Sequence, residues 1–136
     1  MCLIDVKKVK IKSMIGYKVF NEYSPGDTFR GRYHDIRYKI NMLYEAGLLN
    51  EIDSSRMARL TYEPGFHFYK RLKDALKEFP GLMVVKCEMT DIFIKGFHLE
   101  FDCEGFVSNK MKIIKVIGSI QVNYVIGKST RILRRL

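Results

Sequence analysis

Few residues of this 136-residue chain could do chemistry, and their spacing narrows what that chemistry would be. Of the three histidines, His67 and His98 fall in alternating apolar runs and His34 in a polar connection. A histidine acts as general base, or readies a nucleophile, beside a carboxylate or hydroxyl partner, and no such partner stands at motif spacing. His67 therefore reads more plainly as a half-buried strand side chain than as a catalyst. Cys87, His98 and Cys103 would have to meet across a sheet to hold zinc, and they fit no CxxC or HxxxH pattern, so neither metal nor other cofactor is expected. Asp91, Glu100, Asp102 and Glu104 form an acidic island that reads as turn-shaping and lysine-pairing rather than as an acid/base pair. No P-loop, GxGxxG, GxSxG or HExxH occurs, which weakens the common hydrolase, dehydrogenase, lipase and zincin readings. Enzymatic activity stays open, with the balance towards binding.

Binding chemistry is better represented. Phe29-Arg30-Gly31-Arg32-Tyr33 interleaves bases with aromatics, so that Arg30 and Arg32 would meet phosphate and Phe29 and Tyr33 would offer stacking faces. His67 and Tyr69 would line a pocket behind the Pro64-Gly65 turn. The formal net charge is +9, and its distribution matters more than its size. Glu104 is the last acidic residue, and Lys110, Lys112, Lys115, Lys128, Arg131, Arg134 and Arg135 follow it. A field of that kind attracts nucleic acid, nucleotides or an acidic protein face. The plainer alternative is a lysine-rich solvated surface that keeps the protein in solution.

These side chains need a scaffold, and composition allows one domain. Hydrophobic residues make up 47% and charged residues 29%, and no apolar run approaches the roughly 20 residues of a membrane-spanning helix. The acid at Asp5 and the Lys7-Lys8 pair do not suit a signal peptide, and three cysteines are an odd count for a disulfide scaffold, so a cytoplasmic protein with reduced thiols is expected. Ile4, Val6, Val9 and Ile11 change phase at Lys7-Lys8, predicting a bulged first strand. Ser13 is a turn candidate before a second strand, Ile15 to Phe20. Asp35 would cap a helix with an apolar face of Ile36, Ile40, Leu43 and Tyr44. Glu63-Pro64-Gly65 predicts a turn, Phe66 to Tyr69 a short strand, and Leu72, Ala75, Leu76 and Phe79 a second helix ended by Pro80-Gly81. Further strands are expected over 83–87, 92–101, 111–117 and 120–126, the last two divided at Gly118-Ser119.

Met1-Cys2-Leu3-Ile4, Tyr17-Lys18-Val19, Gly65-Phe66-His67-Phe68-Tyr69, Val84-Val85-Lys86-Cys87 and the block Gly105 to Ile114 occur in an order and spacing that resembles the small proteins of unassigned function encoded by tailed bacteriophages and their hosts. That resemblance implies a phage or prophage accessory protein in the host cytoplasm and assigns no catalytic residue; residues 118–136 extend beyond it. Gly65 to Ala75 bears a weaker likeness to the ADP-ribosyltransferase fold. Tyr17-Lys18-Val19 stands where those enzymes carry a dinucleotide-contacting His or Arg, and no acid follows Glu104, so the likeness implies a divergent or inactive form. The expected architecture is α+β: residues 1–127 as a single domain, a twisted antiparallel sheet of about six strands with two packed helices, then a basic tail over 128–136. The expected function is a non-enzymatic accessory module, used against or alongside a host component, that binds an anionic nucleic acid or nucleotide. Its contacts would be Phe29, Arg30, Arg32, Tyr33, His67, Tyr69, Lys110, Lys112, Arg131, Arg134 and Arg135. A divergent transferase, and a virion or host-protein-binding component with a DNA-facing tail, are the alternatives.

Overall fold

The computed structural model describes residues 3–24, 28–30, 36–48, 65–78 and 82–136, and antiparallel strands account for most of them. The strands are β1 (Ile4–Phe20), β2 (Glu22–Ser24), β3 (Thr28–Arg30), β4 (Arg37–Lys39), β5 (Leu43–Glu45), β6 (Phe66–Phe68), β7 (Met83–His98), β8 (Cys103–Val125) and β9 (Lys128–Arg135). Besides them the described residues hold a 3-10 turn, Ala46–Leu48, and a single helical turn, α1 (Leu72–Ala75). The expected α+β domain with two packed helices is thereby corrected to a mostly antiparallel β architecture.

The first expected helix is a pair of strands and the second is shortened to one turn, each for a physical reason. A spacing of four, as in Ile36, Ile40 and Tyr44, is near one helical turn but is also an even number, so it serves a strand equally well. Tyr38 decides between them: Ile36 and Tyr38 are buried while Arg37 and Lys39 are exposed, a period of two. Asn41 then takes a left-handed φ of 63° that turns β4 into β5, a conformation asparagine tolerates well. Downstream, α1 starts at Arg71 with no side-chain hydrogen bond to its first amides and ends after Ala75.

In the larger sheet β1, β7, β8 and β5 lie in that order, with β6 and β9 also paired to β8. The expected strands over 83–87 and 92–101 are one strand, β7, and those over 111–117 and 120–126 are one strand, β8, which runs through Gly118-Ser119 without turning. Ser13 likewise lies inside β1. The phase slip around Lys7-Lys8 is present as two register shifts, one on each side of that pair. Residues 128–135, expected in a tail, form β9.

β8 is flanked successively by β6 at 106–108, β5 at 110–112 and β9 at 118–125. Beyond β6, Tyr17 and Tyr69 exchange two backbone hydrogen bonds of 2.7 and 2.9 Å, so the path β1-β7-β8-β6 returns to β1. The strands close at Gly16, where a Cβ would collide with the Phe68 ring and lie 3.2 Å from the Tyr69 carbonyl oxygen.

Alternate residues of β7 serve two cores. Met83, Val85, Cys87 and Met89 join Phe20, Phe66, Phe68 and Phe106 in the main cluster, which the small sheet β2-β3-β4 covers with Phe29 and Tyr38. Val84 packs into a second cluster with Val19, Tyr69, Ala75, Ile117 and Ile120, completed by Leu72 and Leu76 from the helical segment and Leu133 from β9. Each such fully buried apolar side chain stabilises the fold by roughly 1.5–3 kcal/mol.

Candidate functional site: an enclosed lysine and a projecting ribbon

Two places gather polar side chains that a plain β core would not require. The first lies under α1. Lys18 shares its strand parity with Gly16 and Phe20, and this turns a half-buried lysine towards β6. Its Nζ donates to the His67 carbonyl at 2.7 Å and stands 5.7 Å from the centre of the Phe20 ring. Burial lowers the Lys18 pKa, opposed by the field of Glu78. Burial raises that of Glu78, opposed by Lys18 and by lesser attractions from Tyr69 and Arg131. The Tyr69 hydroxyl is enclosed and close to Glu78 without the geometry of a formed hydrogen bond.

The chemistry open to this cluster is limited. Burial holds the His67 imidazole down to about 3, too weak a base for proton transfer near neutrality. Burial also pushes the Cys87 thiol up to about 12, so it is not the thiolate a nucleophile needs. His98 lies between Tyr69 and Phe101, with ring centres 5.3 and 6.1 Å away, and burial brings it to about 4. What the cluster does make is a link between β1 and β6 through the Lys18 hydrogen bond, with Glu78 near enough for its field to reach Lys18 and Arg131. Among the described residues no group of three or more His, Cys, Asp or Glu is placed to hold a metal.

The second place is the outer part of the β8–β9 hairpin. β7 leaves β8 at the Met83/Ser119 pair, the Ile120 amide still donates to the Leu82 carbonyl at 2.8 Å, and past it β8 is paired with β9 alone, as a two-stranded ribbon. Every residue from Gln121 to Thr130 is exposed. Register is unbroken from Gly118/Arg135 to Val125/Lys128, so cross-strand partners share a face. Leu133 turns inward to the second core and Arg131 shares that side, half-buried with Nε and Nη1 enclosed and Glu78 in its field. Lys128, Thr130, Ile132 and Arg134 occupy the opposite side, and Arg135 is exposed at the base.

The residues singled out from sequence are thus dispersed. Phe29 is 0% exposed, its ring 5.6 Å from that of Phe20, so the expected stacking face is a core side chain. Tyr69 is buried as well, and Arg30 is half-buried with its Nε enclosed. Arg32 and Tyr33 lie outside the described residues, as do Cys2, His34, Asp35, Pro64 and the Pro80-Gly81 break. Lys110 is held by Asp91 at 3.4 Å and Lys112 sits mid-sheet opposite Leu43 and Glu88. Of the island's other residues, Glu104 pairs with Lys95 at 3.3 Å, and the backbone carbonyl of Asp102 accepts from Lys77 at 3.4 Å. Of the cations singled out, Arg134 and Arg135 are exposed together on β9 with Lys128, Lys128 and Arg134 on one side of the strand and Arg135 on the other.

Lys18 and Glu78 were missed. The signal for Lys18 was its place between Gly16 and Phe20 on one parity of an apolar strand; Glu78 follows Lys77 with nothing in its spacing to mark it. No helix among the described residues is long and apolar enough to cross a membrane. No protein-family model matches the chain, and no curated protein or solved structure matches it either.

Proposed function

We propose that the protein is a non-enzymatic binding module for nucleic acid, with the β8–β9 ribbon as its contact element, in the accessory setting that the phage resemblance implies. One observation carries this reading: β9 exposes Lys128 beside the ribbon's tip and Arg134 and Arg135 at its base, opposite Ser119 and Gly118, while the chain has no acid after Glu104. A two-stranded ribbon is narrow enough to enter a duplex groove, where cations meet phosphates and Gln121, Asn123 and Thr130 can hydrogen-bond to base edges. A free nucleotide would need an enclosed site, and in the enclosed cluster the Lys18 ammonium already donates to the His67 carbonyl and lies in the field of Glu78.

The test is fluorescence anisotropy with a labelled 25-base-pair duplex over a salt series. Three phosphate contacts predict a log–log slope of about −2.7, since each neutralised phosphate contributes about −0.9. Replacing Lys128, Arg134 and Arg135 together by Ala should abolish most of the slope, whereas Lys110→Ala, which removes a cation already held by Asp91, should change it little. An unchanged slope in the triple variant would exclude the ribbon as the contact element.

A further inference from the structure

The end of the ribbon is built from residues that the turn itself disfavours. Val125 and Lys128 are joined by two residues, Ile126 and Gly127, with φ of 46° and 73°. Two positive φ values in a two-residue hairpin loop are the requirement of a type I′ turn, for which Asn-Gly is the favoured pair. Glycine meets that requirement at Gly127. Isoleucine does not at 126, because its branched Cβ crowds the backbone in the left-handed region. Nor does Ile126 gain any packing in exchange: it is 97% exposed, beside Tyr124 at 79% and Val125 at 63%. Neither the turn nor the core of this chain accounts for an isoleucine there, and strained residues of this kind concentrate where a partner is engaged.

We infer that the tip is an apolar wedge that enters the minor groove of a DNA duplex and inserts Ile126 between base pairs, bending the helix. This rests on the proposed nucleic-acid reading and adds how the ribbon engages its partner. Base-pair faces are the apolar surface that an anionic partner offers, and apolar side chains driven between base steps kink duplexes from the minor groove. The cations are placed to hold such a duplex. Lys128 immediately follows the tip, and Arg134 lies six residues further along β9, about 20 Å at strand rise. That distance spans about six phosphates of one strand. An anionic bilayer has the same apolar and charged chemistry. It would favour cations gathered at one depth around the tip, whereas here, on the face that Lys128 and Arg134 share, uncharged Asn123, Thr130, Gln121 and Ile132 separate the two, and Arg131 on the other side is half-buried.

The experiment uses the full chain and a 25-base-pair duplex labelled at both ends for energy transfer, with 2-aminopurine at its centre. Wild type should shorten the end-to-end distance and raise 2-aminopurine emission through unstacking. Ile126→Asn puts the favoured residue into the turn, so it should raise Tm and keep the salt slope while losing both the distance change and the emission rise. Equal bending by wild type and Ile126→Asn would overturn the wedge and leave the binding reading intact. No duplex binding by wild type would overturn both. A wild type that binds phosphatidylglycerol vesicles and loses them on Ile126→Asn, with duplex distances unaffected, would assign the tip to a membrane and overturn the wedge.

Discussion

His98 shows how a single buried side chain makes the whole fold sensitive to pH. In the unfolded chain its imidazole takes up a proton below about 6.5, whereas burial between Tyr69 and Phe101 keeps the native form neutral down to about 4. Between those values the unfolded state binds more protons, so stability is fully present above pH 6.5 and falls as pH drops towards 4. The slope for one such group approaches 1.4 kcal/mol per pH unit, and His67, depressed by the same cause, acts in the same direction. Thermal melts from pH 7 to 5 should therefore show a falling Tm, and His98→Gln should flatten that dependence; a His98→Gln profile parallel to wild type would contradict it. The Lys18–Glu78 pair gives a second test. Single replacements by Met and Gln leave the other charge half-buried, so a double-mutant cycle should show coupling of roughly 0.5–3 kcal/mol in urea unfolding. These roles were only partly legible in sequence. The apolar setting of His67 and His98 pointed away from catalysis, but a strand pattern does not say which parity a second layer covers, and so Phe29 was read as a stacking face and Lys18 passed over.

At the scale of elements, the closure of β6 onto β1 depends on an absent side chain. Gly16 admits the Phe68 ring, itself stacked on Phe106 at 5.6 Å, and Gly16→Ala would force that ring or β1 aside. The expected cost is about 1–3 kcal/mol, the range for overpacking a close-packed core, read as a lower urea midpoint with unchanged m. Elements whose signals are local were visible beforehand: the β6 alternation and the bulged start of β1 both follow from residue order alone. Elements set by pairing were not. Gly118-Ser119 looks like a turn in one dimension, yet there β8 is hydrogen-bonded to β7 on one side and β9 on the other, and Gly118 serves the close approach of the Arg134 backbone. The true turn, Ile126-Gly127, was hidden because isoleucine is the wrong residue for it.

For the molecule as a whole, the question is whether net charge or its placement governs anion binding. The cations are spread over several surfaces. Lys7, Lys8, Lys10 and Lys12 are exposed on β1, a strand whose described pairing is with β7 except at the Tyr17/Tyr69 contact. Lysines on such a rim discourage edge-to-edge pairing with other chains, which is a sufficient role for them. If total charge drew the partner, changing those four to Gln, which removes four of the nine net positive charges, would weaken duplex binding more than removing Lys128, Arg134 and Arg135. The geometry implies the reverse, because β9 strings its exposed cations from the base of the ribbon to its tip, a line that can follow a groove. The four-lysine variant should keep the salt slope within about one phosphate equivalent of wild type and show increased self-association by light scattering. The ribbon triple should stay monodisperse and lose the slope. The opposite ranking would mean that the field of the whole surface, and not the ribbon, is what an anion meets first.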